Sequence, residues 1–170
     1  MAIIDAEGHQ SLTMRALARA CGMTAPGLMH YFPDMATLVV AVVDHRDTRD
    51  RAGLATFAPG PGATRRVLGE IVDNIVARPQ AAELFAIVEA QAIDSRHPGH
   101  EYFRARAERL VDEFSPLMAA EFAHPHELAM QLFGVMDGLQ LNWLRDRAAF
   151  SLRERWDAVA DAIVAAAEPA

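Results

Sequence analysis

The side chains able to do chemistry fall into two histidine clusters and a few polar residues set on apolar faces. His97, His100 and Glu101 form one cluster; His124, His126 and Glu127 form the other. A metal site needs three or four such donors converging at fixed geometry. Both clusters adjoin prolines, Pro98 and Pro125, with no cysteine in support and no histidine pair at i, i+4. They are expected to be exposed turn residues, not ligands. Nothing in the chain has the spacing of a nucleophile elbow, a phosphate loop or a dinucleotide fingerprint. No catalytic, metal or cofactor site is expected, and no enzyme.

The polar residues on apolar faces suggest binding. Glu89 lies among Phe85, Val88 and Ile93, while Asp137 and Gln140 lie between Met136 and Trp143. A few polar groups within walls of aromatic and methionine side chains describe a small-molecule pocket. Phe85, Glu89, Phe114, Met118, Phe133, Met136, Gln140 and Trp143 are the candidate ligand-binding set. For Glu89 and Gln140 a structural role stands equally open. For Asp137 a structural pairing with an arginine across an interface is the favoured reading.

The strongest local pattern is Thr13 to Phe32, TMRALARACGMTAPGLMHYF. Two short helices are predicted, joined at Cys21-Gly22-Met23. Gly22 can take φ > 0 without a Cβ clash and so allows a sharp turn. Thr24 offers an oxygen to the unpaired amides of the second helix, and Pro26 loses no hydrogen bond in that first turn. Leu17, Ala18, the turn glycine, Met23 and Leu28 have the spacing of a DNA-binding helix-turn-helix. Cys21, the lone cysteine, excludes an intrachain disulfide and is expected on the buried side of the first helix.

Residues 8–18, 21–33 and 34–38, including MetThrAlaProGlyLeuMetHisTyrPhePro, resemble the N-terminal domain of the tetracycline-repressor (TetR) family. The resemblance covers roughly residues 3–45. It implies a homodimeric, all-helical transcription regulator, with a three-helix DNA-binding domain over 1–45 and a ligand-binding and dimerisation domain over 46–170. The chain departs from the family at three points. The helix before Gly8 is shorter than the family's first helix, Met35 stands where a phosphate-contacting lysine is usual, and Met29 stands where tyrosine is frequent.

On this reading the helix Thr24–Tyr31 enters the major groove of an operator. Ala25, Pro26, Gly27 and His30 reach base edges, chiefly through apolar contact with thymine methyls and through His30. Thr13, Arg15, Thr24 and Tyr31 hold phosphates, and amides at the start of the Thr24 helix add further contacts. The charge is unusual for such a domain. The chain carries a net −7 and no lysine, and residues 1–43 hold only Arg15 and Arg19 against Asp5, Glu7 and Asp34. Phosphate neutralisation normally supplies much of DNA affinity. A helical dimer that binds a ligand or partner and has lost DNA binding is therefore the alternative.

The elements that position these residues follow from the periodicity. Residues 2–7 read as the end of a helix and 8–11 as a loop. Met35, Leu38, Val39, Val42 and Val43 form the face of a helix running into charged 44–51. Residues 57–63 are the clearest linker. Further helices are expected from Thr64, after Pro79 as far as Ile93, through 101–118 with a bend at Pro116, from Glu127 to Arg147, and from Ser151 to Ala167. The Glu127–Arg147 helix is apolar on nearly all sides and must be covered on nearly all sides. Its Leu128, Leu132, Val135, Leu139 and Asn142, with Trp156, Val159 and Ile163 of the last helix, are the expected homodimer interface. No apolar run has the length of a membrane span, and the first residues are too short and acidic for a signal peptide, so a cytoplasmic place is expected.

Overall fold

In a computed structural model the structure describes residues 12–54 and 57–170. The helix end and loop expected over residues 2–11 lie outside the described residues. The described chain is all-α: α1 (Met14–Ala20), α2 (Ala25–Tyr31), α3 (Met35–Leu54), α4 (Ala63–Ala77), α5 (Pro79–Gln91), α6 (His100–Met118), α7 (Pro125–Arg145) and α8 (Leu152–Ala166). Among the described residues, no single helix is long and apolar enough to cross a membrane.

Side-chain oxygens set several of the helix starts. Thr13 accepts from the Ala16 amide at 3.1 Å, Thr24 from Gly27 at 3.2 Å, Asp34 from Thr37 at 2.7 Å and Ser151 from Glu154 at 3.2 Å. Each satisfies an amide that has no partner within its helix. The Thr37 amide is the main reason the Asp34 carboxyl is held below its ordinary pKa. Pro79 and Pro125 stand in first turns, where a missing N–H costs nothing.

The chain packs as two compact units: residues 1–51 with 78–104, and 52–77 with 105–170. In the first unit Ala18, Leu28 and Leu38 form one apolar cluster, with Ala25, Phe32 and Met35 packed on it. A second cluster joins Val39 and Val43 of α3 to Leu84 and Val88 of α5, Ala92 and Phe103. Tyr102 ties α6 to α3 through a 3.1 Å hydrogen bond to Asp47.

The second unit is organised by α8, which packs extensively on α4 and α7. Trp156, Leu132, Leu68, Val67, Val72 and Met118 are fully buried there. Glu121 closes the loop before α4. Its carboxylate accepts from the Gly62 amide at 2.6 Å and from the Thr64 amide and hydroxyl at 3.0 and 2.7 Å. Burial alone would raise this carboxyl, but those three donors, helped by Arg66, outweigh it and hold the pKa below the ordinary value. The residues that end the described chain return here, with Ala123 donating to the Glu168 carbonyl and Ala170 to that of Glu121.

Several expectations need correction. Cys21 is exposed, because it caps the end of α1 instead of lying on its inner face. Ile93 lies beyond α5 and is exposed. The α7 stripe is also divided differently. Leu128, Leu132, Met136, Gln140 and Trp143 fall on one buried line, so residues assigned to opposite sides share a face.

Candidate nucleic-acid interface

The turn between α1 and α2 is built as its residues dictate. Gly22 has φ +66, in the left-handed region that favours glycine, and Met23 N donates back to the Ala18 carbonyl at 2.8 Å. Ala18 and Leu28 are buried against each other's cluster with Leu38 of α3, which fixes how α2 is presented. Leu28 is the buried residue of α2, so the opposite side of the helix faces solvent.

That outward side is not quite the one expected. Pro26 and His30 are exposed, and Gly27 is half-exposed. Ala25 is instead packed on the apolar cluster. Met29, which the sequence reading left out of the candidate set, is 50 % exposed, and Met23 is exposed beside Gly27. The signal for Met29 was present in its position next to the inward Leu28 and three residues from Pro26. Tyr31 is 68 % exposed, with its ring edge-to-face on His30 at 5.5 Å between centroids.

The polar groups at this surface are already partly engaged. The Thr13 and Thr24 oxygens serve as caps. Pro26 has no amide hydrogen, the Gly27 amide is bonded to Thr24 Oγ1, and the Leu28 amide goes to the Thr24 carbonyl. These three positions therefore offer no free N–H to a phosphate, contrary to the expectation for this end of the helix. Arg15, Arg19, Thr13 and Thr24 are all exposed.

The other candidate residues divide between the two units. Phe85 and Glu89 belong to the first, where Phe85 stacks edge-to-face on Phe103 at 5.3 Å. Phe114, Met118, Phe133, Met136, Gln140 and Trp143 belong to the second. Phe114 and Phe133 meet edge-to-face at 5.1 Å, and Gln140 is a buried polar side chain. Asp137 reaches solvent, yet the protein packed around it raises its pKa, with the Arg106 guanidinium pulling the other way.

Of the expected interface residues, Leu128, Leu132 and Trp156 are buried inside their own unit. Val135, Leu139, Val159 and Ile163 are half-buried. Asn142 is exposed and bonds the Gly138 carbonyl at 2.9 Å. What α7 turns outward is Met130 (54 % exposed), Gly134, Gly138 and Leu141 (42 %). Beside it a groove of about 780 Å³ runs between α7 and α8, lined by Leu128, Gln131, Ala158, Val159, Ala162 and Ile163 among others.

Three histidines of the two clusters have partners among the described residues. His97 Nδ1 accepts from the Gly99 amide at 3.1 Å, His100 Nδ1 bonds the Ala92 carbonyl at 2.8 Å, and His124 lies 3.5 Å from Glu168.

Residues 1–42 match the bacterial regulatory proteins of the tetR family. Among curated proteins none matches the chain in sequence. The fold is similar to that of a transcriptional regulator from Rhodococcus sp. Rha1, with TM-score 0.74 and 18 % identity over 98 % of this chain and 92 % of that one. It is also similar to NalD, the secondary repressor of the MexAB-OprM multidrug efflux pump in Pseudomonas aeruginosa, with TM-score 0.69 and 14 % identity over 98 % and 90 %. Residues 1–42 thus resemble the tetR family of bacterial regulatory proteins, and the described chain has an all-helical fold similar to that of these two regulators.

Proposed function

We propose that the chain is a dimeric one-component transcription regulator, a repressor released from its operator by a small-molecule ligand. The observation that carries this reading is the capped helix α2, inserted into its domain by Leu28 and turned outward through Pro26, Gly27, Met29 and His30. Such a helix is shaped to lie in a major groove. Arg15, Thr13, Thr24 and Tyr31 hold phosphates and set the register. That NalD is described as a repressor supports the same sign of regulation.

Residues 1–45 serve as the DNA-binding domain, and 46–170 bind ligand and dimerise. The effector binds among Phe114, Met118, Phe133, Met136, Gln140 and Trp143. Tyr102 and Phe103 at the start of α6 are held to α3, which follows the DNA-binding helices, so movement of α6 tilts them. Dimerisation uses the outward face of α7, where Met130, Gly134, Gly138 and Leu141 recur at i, i+4, i+8 and i+11, with Val159 and Ile163 of α8 alongside. The protein acts in the cytoplasm.

One observation favours a second reading, a dimeric helical protein that binds a ligand or partner without DNA. Residues 1–43 contain two arginines and no lysine. With about four arginines per dimer, the log–log salt slope of DNA binding should be about −4 or shallower. The test is a random-sequence duplex pool offered to the full chain at low salt, followed by salt titration of enriched duplexes. Enrichment of a palindromic sequence supports the regulator. No enrichment by either the wild type or Met35→Lys overturns it in favour of the second reading.

A further inference from the structure

We infer that base recognition by this protein reads the 5-methyl groups of pyrimidines, with Met29 and Pro26 as the reading pair. The inference rests on the DNA-binding reading above and specifies what is read. On the outward side of α2, Pro26 and Met29 are neighbours at i, i+3, and His30 completes the face at i+4 from Pro26. Met29 is half exposed and Met23 lies just beyond Gly27. Ala25 is half-buried and packs against the domain's apolar cluster. Gly27 presents no side chain, and a Cβ there would stand 3.1 Å from Oγ1 of the capping Thr24.

A base pair shows hydrogen-bond donors and acceptors in the major groove and one kind of apolar group, the C5 methyl of thymine. A face made of proline, glycine and methionine cannot satisfy the donors and acceptors. It can discriminate only where a methyl fills the contact. His30 is the one side chain of this face able to hydrogen-bond a base edge, so it sets at most one position per half-site. The remaining preference must come from methyls. Cytosine carrying a 5-methyl group presents the same apolar contact and should be accepted in place of thymine where the contact is to the methyl alone.

The experiment uses the full chain and a duplex enriched from a random pool, rebuilt with deoxyuridine in place of thymidine. Removing one buried methyl corresponds to about a fourfold loss of affinity, so one methyl per half-site predicts roughly a fifteenfold loss on a palindrome. Met29→Ser, at an exposed position, should shrink that uridine penalty to about fourfold or less, and Met29→Leu should restore it. Equal binding of the thymidine and uridine duplexes overturns methyl reading while leaving DNA binding intact. A penalty undiminished in Met29→Ser overturns the assignment to Met29, since the methyls are then read through DNA shape. Failure of any duplex to enrich overturns the DNA-binding reading itself, and methyl reading with it.

Discussion

Arg153 lies directly across Gly69. Its Nη1 donates to the Gly69 carbonyl at 3.1 Å, and a Cβ built on Gly69 would come within 2.9 Å of its Nη2. From there the same guanidinium reaches Asp73 of α4 at 2.5 Å, which fastens α8 to α4, and Asp157 of its own helix at 2.9 Å. These partners, Asp157 first, hold the Arg153 pKa above its ordinary value.

A glycine in the middle of a helix costs about 1 kcal/mol relative to alanine. Gly69→Ala should therefore stabilise an Arg153→Ala background by about that amount. In the wild-type background the gain should shrink or reverse, because the guanidinium must move. Chemical denaturation of the four proteins measures the coupling. Equal effects of Gly69→Ala in both backgrounds would show that Arg153 does not require the glycine.

The Glu121 clamp predicts an acid response. Its folded pKa is depressed below 4.5, so its contribution is complete above the unfolded value near 4.5. It is then lost as pH falls through 4.5 and on through the lower folded value. Glu121→Gln should lower stability at pH 7 by about 1–3 kcal/mol and flatten the acid limb of a Tm-against-pH curve. Parallel acid limbs for the two proteins would show that Glu121 titrates alike folded and unfolded.

Trp156 is fully buried, and its indole Nε1 has no acceptor among the described residues. An unpaired buried donor costs about 1–3 kcal/mol. Trp156→Phe removes that donor together with part of the ring, so its net cost should stay below about 1.5 kcal/mol. Trp156→Ala, which leaves a cavity, should cost about 3–5 kcal/mol. Thermal or urea unfolding separates the two, and near-equal losses would mean that the indole N–H is satisfied in solution.

Met35 opens α3 and packs partly on both apolar clusters of its unit. A lysine there can keep its aliphatic stem on those clusters and carry its charge outward, at a cost within about 1 kcal/mol. On the proposed dimer, Met35→Lys should tighten binding to every duplex alike and steepen the salt slope by about two. His30→Ala should instead relax preference at particular positions. Anisotropy titrations over a range of salt distinguish the two effects, and an unchanged slope for Met35→Lys would place position 35 away from phosphate.

Much of the helix-turn-helix was legible because its signals are local. Thr13, Gly22, Thr24 and Pro26 act on backbone groups within a few residues, so their type and spacing were enough to set α1, the turn and α2. The same holds for Asp34, Pro79 and Ser151 at the starts of later helices. The helix-turn-helix and the all-α class were therefore in the sequence itself. What a helix turns its faces toward is decided at long range, and there the sequence was insufficient. Periodicity showed that α7 is apolar on most sides, but only packing on α8 put Leu128 and Leu132 on one buried stripe with Met136 and Gln140 and left Gly134 and Gly138 outside. Packing on Leu28 and Leu38 likewise drew Ala25 inward, while Met29 stayed in solvent. Glu121 with Gly62 and Thr64, and Arg153 with Gly69, meet across 57 to 84 residues of chain. No periodic pattern encodes such meetings, because each depends on the docking of whole helices and not on the preferences of the residues that touch.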